Sequence, residues 1–182
     1  EGVVTDFTIR LRSYSAAPQQ ALLLPAEKAA AALAESMLNA PSEPMQRFGS
    51  ILESGEESAL TAYKDAWEDE KALCSEKGFT SFIEEVLTMQ LMADEMNETV
   101  KVTAVKTEPY EEKDRVVRFT ADVTVNDTEN MTVSGKCQFD EDGKVSFIEL
   151  DTNELEMTLI ANDNADPTQK PPANGNAITL NE

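Results

Sequence analysis

The chain has 182 residues, of which 41% are hydrophobic, and this length is sufficient for one domain with a buried core. Fifteen Lys and Arg stand against 35 Asp and Glu, so the formal net charge is −20 and a nucleic acid or an anionic membrane would be repelled. The sequence contains no His, which excludes Ser-His and Cys-His nucleophilic pairs, His general bases and His-ligated metals.

The beginning of the chain alternates between apolar and polar residues, which predicts a strand at residues 3 to 12. The Ala-rich residues 19 to 40 predict a long helix. Pro25 is expected near the first turn of this helix, where a missing N–H has no cost. Pro41 and Pro44 are expected to end it.

Apolar residues recur at spacings of three and four from Glu56 to Cys74, which predicts a single amphipathic helix. They are Ala59, Leu60, Tyr63, Ala66, Trp67, Leu73 and Cys74. A further helix is expected from Phe79 towards Met96, with Gly78 as the separator and Thr80 as the cap.

After Asn97 the hydrophobic period changes to two, and short polar connectors of the hairpin kind separate the runs. This pattern predicts a four-stranded antiparallel meander between residues 99 and 150. Each strand has one apolar and one polar face, as expected when helices cover one side of the sheet. The residues predicted on the buried face are Val102, Val117, Phe119, Ala121, Val123, Val133, Cys137 and Phe139.

These elements predict an α+β fold in which an N-terminal strand and three helices pack on one face of a curved four-stranded antiparallel meander. Residues 1 to 161 are expected to form a single domain, with residues 155 to 161 as an additional edge strand. Residues 162 to 182 are expected to be a linker-like or disordered tail, because residues 162 to 176 are mostly Asn, Asp, Pro and Gly.

Tyr63, Trp67, Glu70 and Cys74 follow one another at spacings of four, three and four, on one face of the predicted helix. Two interpretations of Glu70 remain open. Its carboxyl is buried beside the aromatic rings, with a raised pKa and a role as an acid, a base or a partner of a polar ligand. Alternatively, it lies at the margin of the apolar stripe and reaches solvent or pairs with a strand Arg or Lys. Tyr63, Trp67 and Glu70 are the predicted ligand-binding residues, and no catalytic residue is singled out.

Residues 138 to 149 imitate a calcium loop, but Gln138 stands at the first ligand position and the flanks alternate as strands. A hairpin turn explains this pattern, and we expect no metal site and no cofactor. Cys74 and Cys137 fit no zinc or redox motif. Both are predicted to point into the same core, either as one disulfide or as two inert buried thiols.

No run of the sequence approaches the ~18 to 20 apolar residues that a membrane span requires. The composition is rich in Thr, Asn, Asp and Glu and poor in Lys, which is typical of exported proteins. We expect an extracellular or cell-envelope location, and any lipid anchor would belong to a segment that precedes Glu1.

The order of helices followed by an antiparallel meander, with Tyr63 and Trp67 aimed inward, resembles the NTF2-like superfamily of cystatin-like α+β cones over about residues 19 to 150. The resemblance implies either a catalytically silent module of an exported lipoprotein or a small-molecule enzyme such as an isomerase or dehydratase. The enzymes commonly use Asp, His or Tyr inside the cone, and no residue here matches such a motif. Two functions are therefore expected. One is a non-catalytic module that binds an unknown small molecule or protein, and the other is an enzyme with Glu70 and Tyr63 in acid–base roles.

Overall fold

A computed structural model of the chain describes residues 17–52 and 57–165, so the strand predicted at residues 3 to 12 lies outside the described residues. The described part contains six helices and one sheet, and the predicted α+β class is confirmed. Five helices precede the sheet instead of the three that were predicted. The helices are α1 (Ala17–Leu38), α2 (Glu43–Leu52), α3 (Glu57–Asp65), α4 (Glu68–Leu73), α5 (Glu76–Glu95) and α6 (Asn153–Ala165).

The sheet is the predicted antiparallel meander, with strand order β1-β2-β3-β4. Its strands are β1 (Val100–Pro109), β2 (Val116–Val125), β3 (Glu129–Phe139) and β4 (Val145–Asp151). Seven of the eight residues predicted on the buried face are buried, and Val102 is half-buried. The register shifts between Val102 and Ala104, and such a bulge reverses the alternation. Val105 therefore packs against the core while Ala104 is exposed.

Two helices cover one face of the sheet, with α1 over β1 and β2 and with α5 over β4. The helix α5 begins before the predicted start at Phe79, because Ser75 is its cap and accepts a hydrogen bond from the Gly78 N–H at 3.2 Å. Gly78 does not separate two helices. A Cβ atom at this position would overlap the carbonyl oxygen of Val145, so glycine permits the close approach of α5 to β4.

Pro25 and Pro44 do not occupy the positions that the sequence predicted for them at the two ends of α1. Pro25 lies within α1 rather than in its first turn. It removes one intrahelical hydrogen bond, which the strong helix formers around it tolerate. Pro44 does not end a helix but stands in the first turn of α2, where its missing N–H has no cost. Ser42 caps α2 by accepting a hydrogen bond from the Met45 N–H at 3.2 Å.

The helix predicted from Glu56 to Cys74 is interrupted at Ala66 and Trp67, which separate α3 from α4. Trp67 has φ −106° and ψ 42°, outside the helical region, and α4 restarts with a bond from the Lys71 N–H to the Trp67 carbonyl at 2.9 Å. This turn lets Trp67 enter the core while no residue of the acidic α4 is buried.

The edge strand predicted at residues 155 to 161 is wrong, because these residues belong to α6. Leu155 and Leu159 are both buried, and their spacing of four is the helical one. The helix continues to Ala165, so the first residues of the predicted tail are helical, and the rest of that tail lies outside the described residues.

The loop that imitates a calcium site is the predicted hairpin turn. The Asp140 carboxylate accepts hydrogen bonds from the N–H groups of Asp142 at 3.0 Å and Lys144 at 2.9 Å, and Gly143 has a positive φ of 74°. Cys74 and Cys137 are free thiols buried in the same core cluster, which confirms their predicted direction. None of the helices in the described residues is both long and apolar enough to cross a lipid bilayer.

Candidate functional site: the Trp67 groove

The two aromatic residues predicted at the site belong to the core. Tyr63 is fully buried and Trp67 is 5% exposed. The ring of Trp67 meets those of Tyr63 and Phe82 edge to face, with centroids 6.0 and 5.3 Å apart. This arrangement suits the ring quadrupoles and anchors the turn between α3 and α4 against α5.

Two polar atoms of this aromatic cluster are unusual. Among the described residues, the Tyr63 hydroxyl and the Trp67 Nε1 are the buried side-chain polar atoms that have no hydrogen-bond partner. Burial raises the pKa of Tyr63 to about 12, and the neighbouring indole N–H of Trp67 opposes this shift. The Tyr63 hydroxyl and the Trp67 indole N–H are thus neighbours, although neither makes a hydrogen bond of standard geometry. Tyr63 therefore keeps its proton at neutral pH.

Two adjoining cavities of about 420 and 310 Å³ open beside Trp67, and we term them together the Trp67 groove. Their shared wall consists of Glu43, Pro44 and Trp67. The residues that line only the first cavity are Glu35, Ser36, Asn39, Pro41 and Ser42. The residues that line only the second cavity are Arg47, Ala66, Asp69 and Glu70. The groove thus lies between the end of α1, the start of α2 and the turn before α4.

Gln90, a fully buried residue of α5, positions the wall of the groove that contains Asn39 and Ser42. Its Oε1 accepts a hydrogen bond from the Ser42 N–H at 2.6 Å, and its Nε2 donates to the Asn39 carbonyl at 2.8 Å. Asn39 in turn accepts a bond from the Val102 N–H at 2.9 Å, which ties the wall to β1. A buried amide with both ends paired fixes the backbone of the wall relative to the core.

Of the alternatives left open for Glu70, its position agrees with the one at the margin of the apolar stripe, and none of the ion pairs in the described residues involves it. It is half-buried at the rim, and its Oε1 accepts a hydrogen bond from the Ser36 hydroxyl at 2.6 Å. This bond joins α4 to α1 across the groove. Because one oxygen is engaged, the carboxylate has a fixed position while its other oxygen retains acceptor capacity.

The charge of the groove is strongly negative. Four carboxylates line it, from Glu35, Glu43, Asp69 and Glu70, against the single guanidinium of Arg47. Arg47 lies over the ring of Phe48, 5.1 Å from its centroid. The groove therefore attracts positively charged groups.

The structure brings Trp67 and Glu70 to one groove but leaves Tyr63 outside it, since Tyr63 lines neither cavity. No group of three or more His, Cys, Asp or Glu positioned to hold a metal ion occurs in the part of the chain that the structure describes. Comparisons with known protein families, with curated proteins and with solved structures found no match for this chain.

The residues that shape the groove were not predicted from the sequence, although two of them carry a signal there. Gln90 and Ser81 are the polar residues on the buried stripe of α5, and a buried amide such as that of Gln90 requires hydrogen-bond partners. Ser42 precedes Glu43 and Pro44, which together are a helix-start pattern. Ser36 and Asn39 carry no comparable signal, because their partners are distant in the chain.

Proposed function

We propose that this chain is a non-catalytic binding or interaction module, and that it holds a small molecule or a protein segment in the Trp67 groove. The observation that carries the proposal is the groove itself, where two adjoining cavities share Trp67 and Pro44 as an apolar wall. Concave sites with an apolar wall and a few placed polar groups are typical of ligand binding. Gln90 and Ser36 pre-organise the polar groups here, which lowers the entropic cost of binding.

The alternative, an enzyme with Glu70 and Tyr63 as acid and base, has less support. The two groups would have to face one bound substrate. Glu70 lines the second cavity, whereas Tyr63 lines neither cavity and its buried hydroxyl has a pKa of about 12. A phenol that holds its proton so firmly and has no access to the groove is a poor general base.

The proposal includes an extracellular or cell-envelope location and an NTF2-like fold. The location is supported by a composition with 35 Asp and Glu and only 15 Lys and Arg. The NTF2-like assignment is supported by the element order, in which helices precede an antiparallel meander and cover one of its faces.

The proposal is testable through Trp67, which is the single tryptophan of the chain and reports the groove by its fluorescence. In titrations with a library of small polar and charged compounds, we expect ligands that change the Trp67 emission and raise Tm. Ala66→Phe places a ring in the second cavity and should weaken these ligands. Ala72→Phe, also exposed and on the neighbouring helix but outside the groove, is the matched control and should bind normally.

Two outcomes would contradict the proposal. One is that no compound of the library changes the Trp67 emission. The other is that ligands bind equally well to Ala66→Phe and to Ala72→Phe, which would place binding elsewhere on the molecule.

A further inference from the structure

The two edge strands of the sheet differ in how their outward backbone groups are satisfied. At the β4 edge, α5 and its cap supply the partners. The Ser75 N–H donates to the Val145 carbonyl at 2.8 Å. The Ser81 hydroxyl donates to the Ile148 carbonyl at 3.0 Å and accepts a hydrogen bond from the Ile148 N–H at 3.2 Å. The helix therefore occupies the positions that another strand would need.

The β1 edge is covered over its first residues by the segment that follows α1. Val100 exchanges backbone hydrogen bonds with Ala40, and the Val102 N–H donates to the side-chain oxygen of Asn39 at 2.9 Å. The bulge that follows Val102 then changes which residues of β1 direct their backbone groups away from β2.

Beyond the bulge, the outward backbone groups belong to Val105, Thr107 and Pro109. The Tyr110 N–H donates to the Val116 carbonyl at 2.8 Å, which fixes the alternation of the β1–β2 ladder up to this hairpin. In the part of the chain that the structure describes, no hydrogen bond reaches the outward groups of Val105 and Thr107. Unpaired backbone groups along a sheet edge are a template for another strand.

The residues between these outward positions make the edge complementary to itself. Lys106 and Glu108 are both exposed, on the face of β1 opposite the core. When two copies pair antiparallel around a two-fold axis at Thr107, Lys106 of each copy lies opposite Glu108 of the other. The two Thr107 residues exchange both of their backbone hydrogen bonds. Val105 then lies opposite Pro109, whose carbonyl accepts a bond from the Val105 N–H.

We propose that residues 105–109, the open segment of β1, bind the same segment of a second copy of this chain in this antiparallel register. The inference is independent of the proposed function, because none of these residues lines the Trp67 groove. The second copy is the occupant that the charges favour, since the register forms two equivalent Lys–Glu pairs across the axis.

The same charges oppose the neighbouring registers. An axis at Lys106 would place two ammonium groups opposite each other, and an axis at Glu108 would do the same with two carboxylates. The bulge, Lys106 and Pro109 are also features that discourage unselective pairing at a sheet edge. Repulsion in the wrong registers and attraction in one are what a specific interface requires.

The test measures self-association of the full chain by sedimentation equilibrium. At about 0.15 M salt, a Debye length of ~8 Å screens the distant charges of two chains that each carry −20. Interfaces below about 1,200 Å² are weak, so the protein concentration should extend to about 1 mM. We expect a monomer–dimer equilibrium in this range. Amide exchange at Val105 and Thr107 should slow as the protein concentration rises, because the dimer pairs these N–H groups.

Charge reversal tests the register. Lys106→Glu and Glu108→Lys each replace two attractive pairs by two repulsive ones, and each should raise the dimer Kd at least about tenfold. The double variant with both substitutions has opposite charges in each pair again and should regain nearly the original Kd. Lys77→Glu and Glu84→Lys make the same changes at exposed positions of α5, beside the other edge of the sheet. These matched controls should dimerise like the unchanged chain.

Thr107→Pro tests the backbone pairing. The substitution removes an N–H that points away from β2, so it should leave the β1–β2 ladder intact and the melting temperature nearly unchanged. It deletes the two central hydrogen bonds of the dimer, and we expect the variant to remain monomeric up to about 1 mM.

The inference is overturned if the unchanged chain is monomeric at every concentration. It is also overturned if dimerisation survives Lys106→Glu and Glu108→Lys, because the copies would then associate through another surface. Slow exchange at Val105 and Thr107 in a monomer would show that another part of the chain covers the edge, which contradicts it as well. None of these outcomes affects ligand binding in the groove, which the Trp67 emission reports.

Discussion

The core between helices and sheet differs from the Trp67 groove in what holds it together. The core consists of apolar side chains such as Phe82, Phe119 and Ile148, which are all nearly or fully buried. The groove is open, and its walls are positioned by hydrogen bonds from Gln90 and Ser36. The comparison indicates that stability resides mainly in the core, so the exposed residues of the groove lining, unlike Trp67, can be varied without unfolding the protein.

The largest expected effect concerns the core. Phe82 is fully buried between Trp67 and Phe79, and Phe82→Ala should lower the free energy of unfolding by about 3–5 kcal/mol through lost transfer energy and the cavity that remains. Phe147 is 40% exposed on β4 and is the matched control. Phe147→Ala should cost less than about 1 kcal/mol. Denaturant unfolding of both variants measures the difference, and equal losses would contradict the division between core and surface.

The regular apolar patterns of the sequence predicted the strands correctly, whereas two irregular helical segments were predicted incorrectly. The strands were predicted because a period of two over Val117, Phe119 and Ala121 has one explanation, a half-buried strand. The break between α3 and α4 was missed, because helical spacing alone does not show that Trp67 turns out of the helix. Leu155 and Leu159 were assigned to a strand because, in so short a segment, Leu155, Met157 and Leu159 fit a period of two, although Leu155 and Leu159 also have the helical spacing of four.

The groove was the least predictable part. Tyr63, Trp67 and Glu70 were selected by their spacing on one helix, and two of them do line the groove. Its walls depend on contacts of Gln90 with residues 48 and 51 positions away in the chain. Such contacts follow from tertiary packing, and no local pattern encodes them.

The second prediction concerns the wall of the groove. Gln90→Leu keeps the volume of the side chain but leaves the Ser42 N–H and the Asn39 carbonyl without their partner. We expect a loss of about 1–3 kcal/mol in the free energy of unfolding, as for other orphaned buried groups. Amide hydrogen exchange at Ser42 should also accelerate. Gln138→Leu, on the exposed face of β3, is the control and should change neither. A more stable Gln90→Leu variant with slow exchange at Ser42 would show that this hydrogen-bond network is dispensable.

The smallest expected effect comes from the two cysteines, which the structure separates by a strand. Cys74 forms an isolated backbone β-bridge with Val145 of β4, at the edge of the sheet. Cys137 lies on β3, the strand on the other side of β4, opposite Ile148. Two strand spacings alone, without the offset between Val145 and Ile148 along β4, separate their backbones by about 9–10 Å. This separation exceeds the ~7 Å limit for a disulfide without backbone movement. Of the two alternatives drawn from the sequence, the fold therefore favours two buried thiols.

Burial raises the pKa of both thiols from 9.0 to about 12, with smaller contributions from Glu70 at Cys74 and from Cys74 at Cys137. In the native state each thiol stays protonated, while the unfolded thiol ionises above about pH 9. The stabilising contribution is therefore complete below pH 9 and is lost as the pH rises towards 12. For Cys137 we expect the free energy of unfolding to fall by on the order of 1 kcal/mol at about pH 9.5, and Cys137→Ala should show a smaller decrease in this free energy between pH 7 and that value.

A chromogenic disulfide reagent should detect no thiol in the native protein and both after unfolding. Two reactive thiols in the native state would place both cysteines within reach of solvent and contradict their burial in one core cluster.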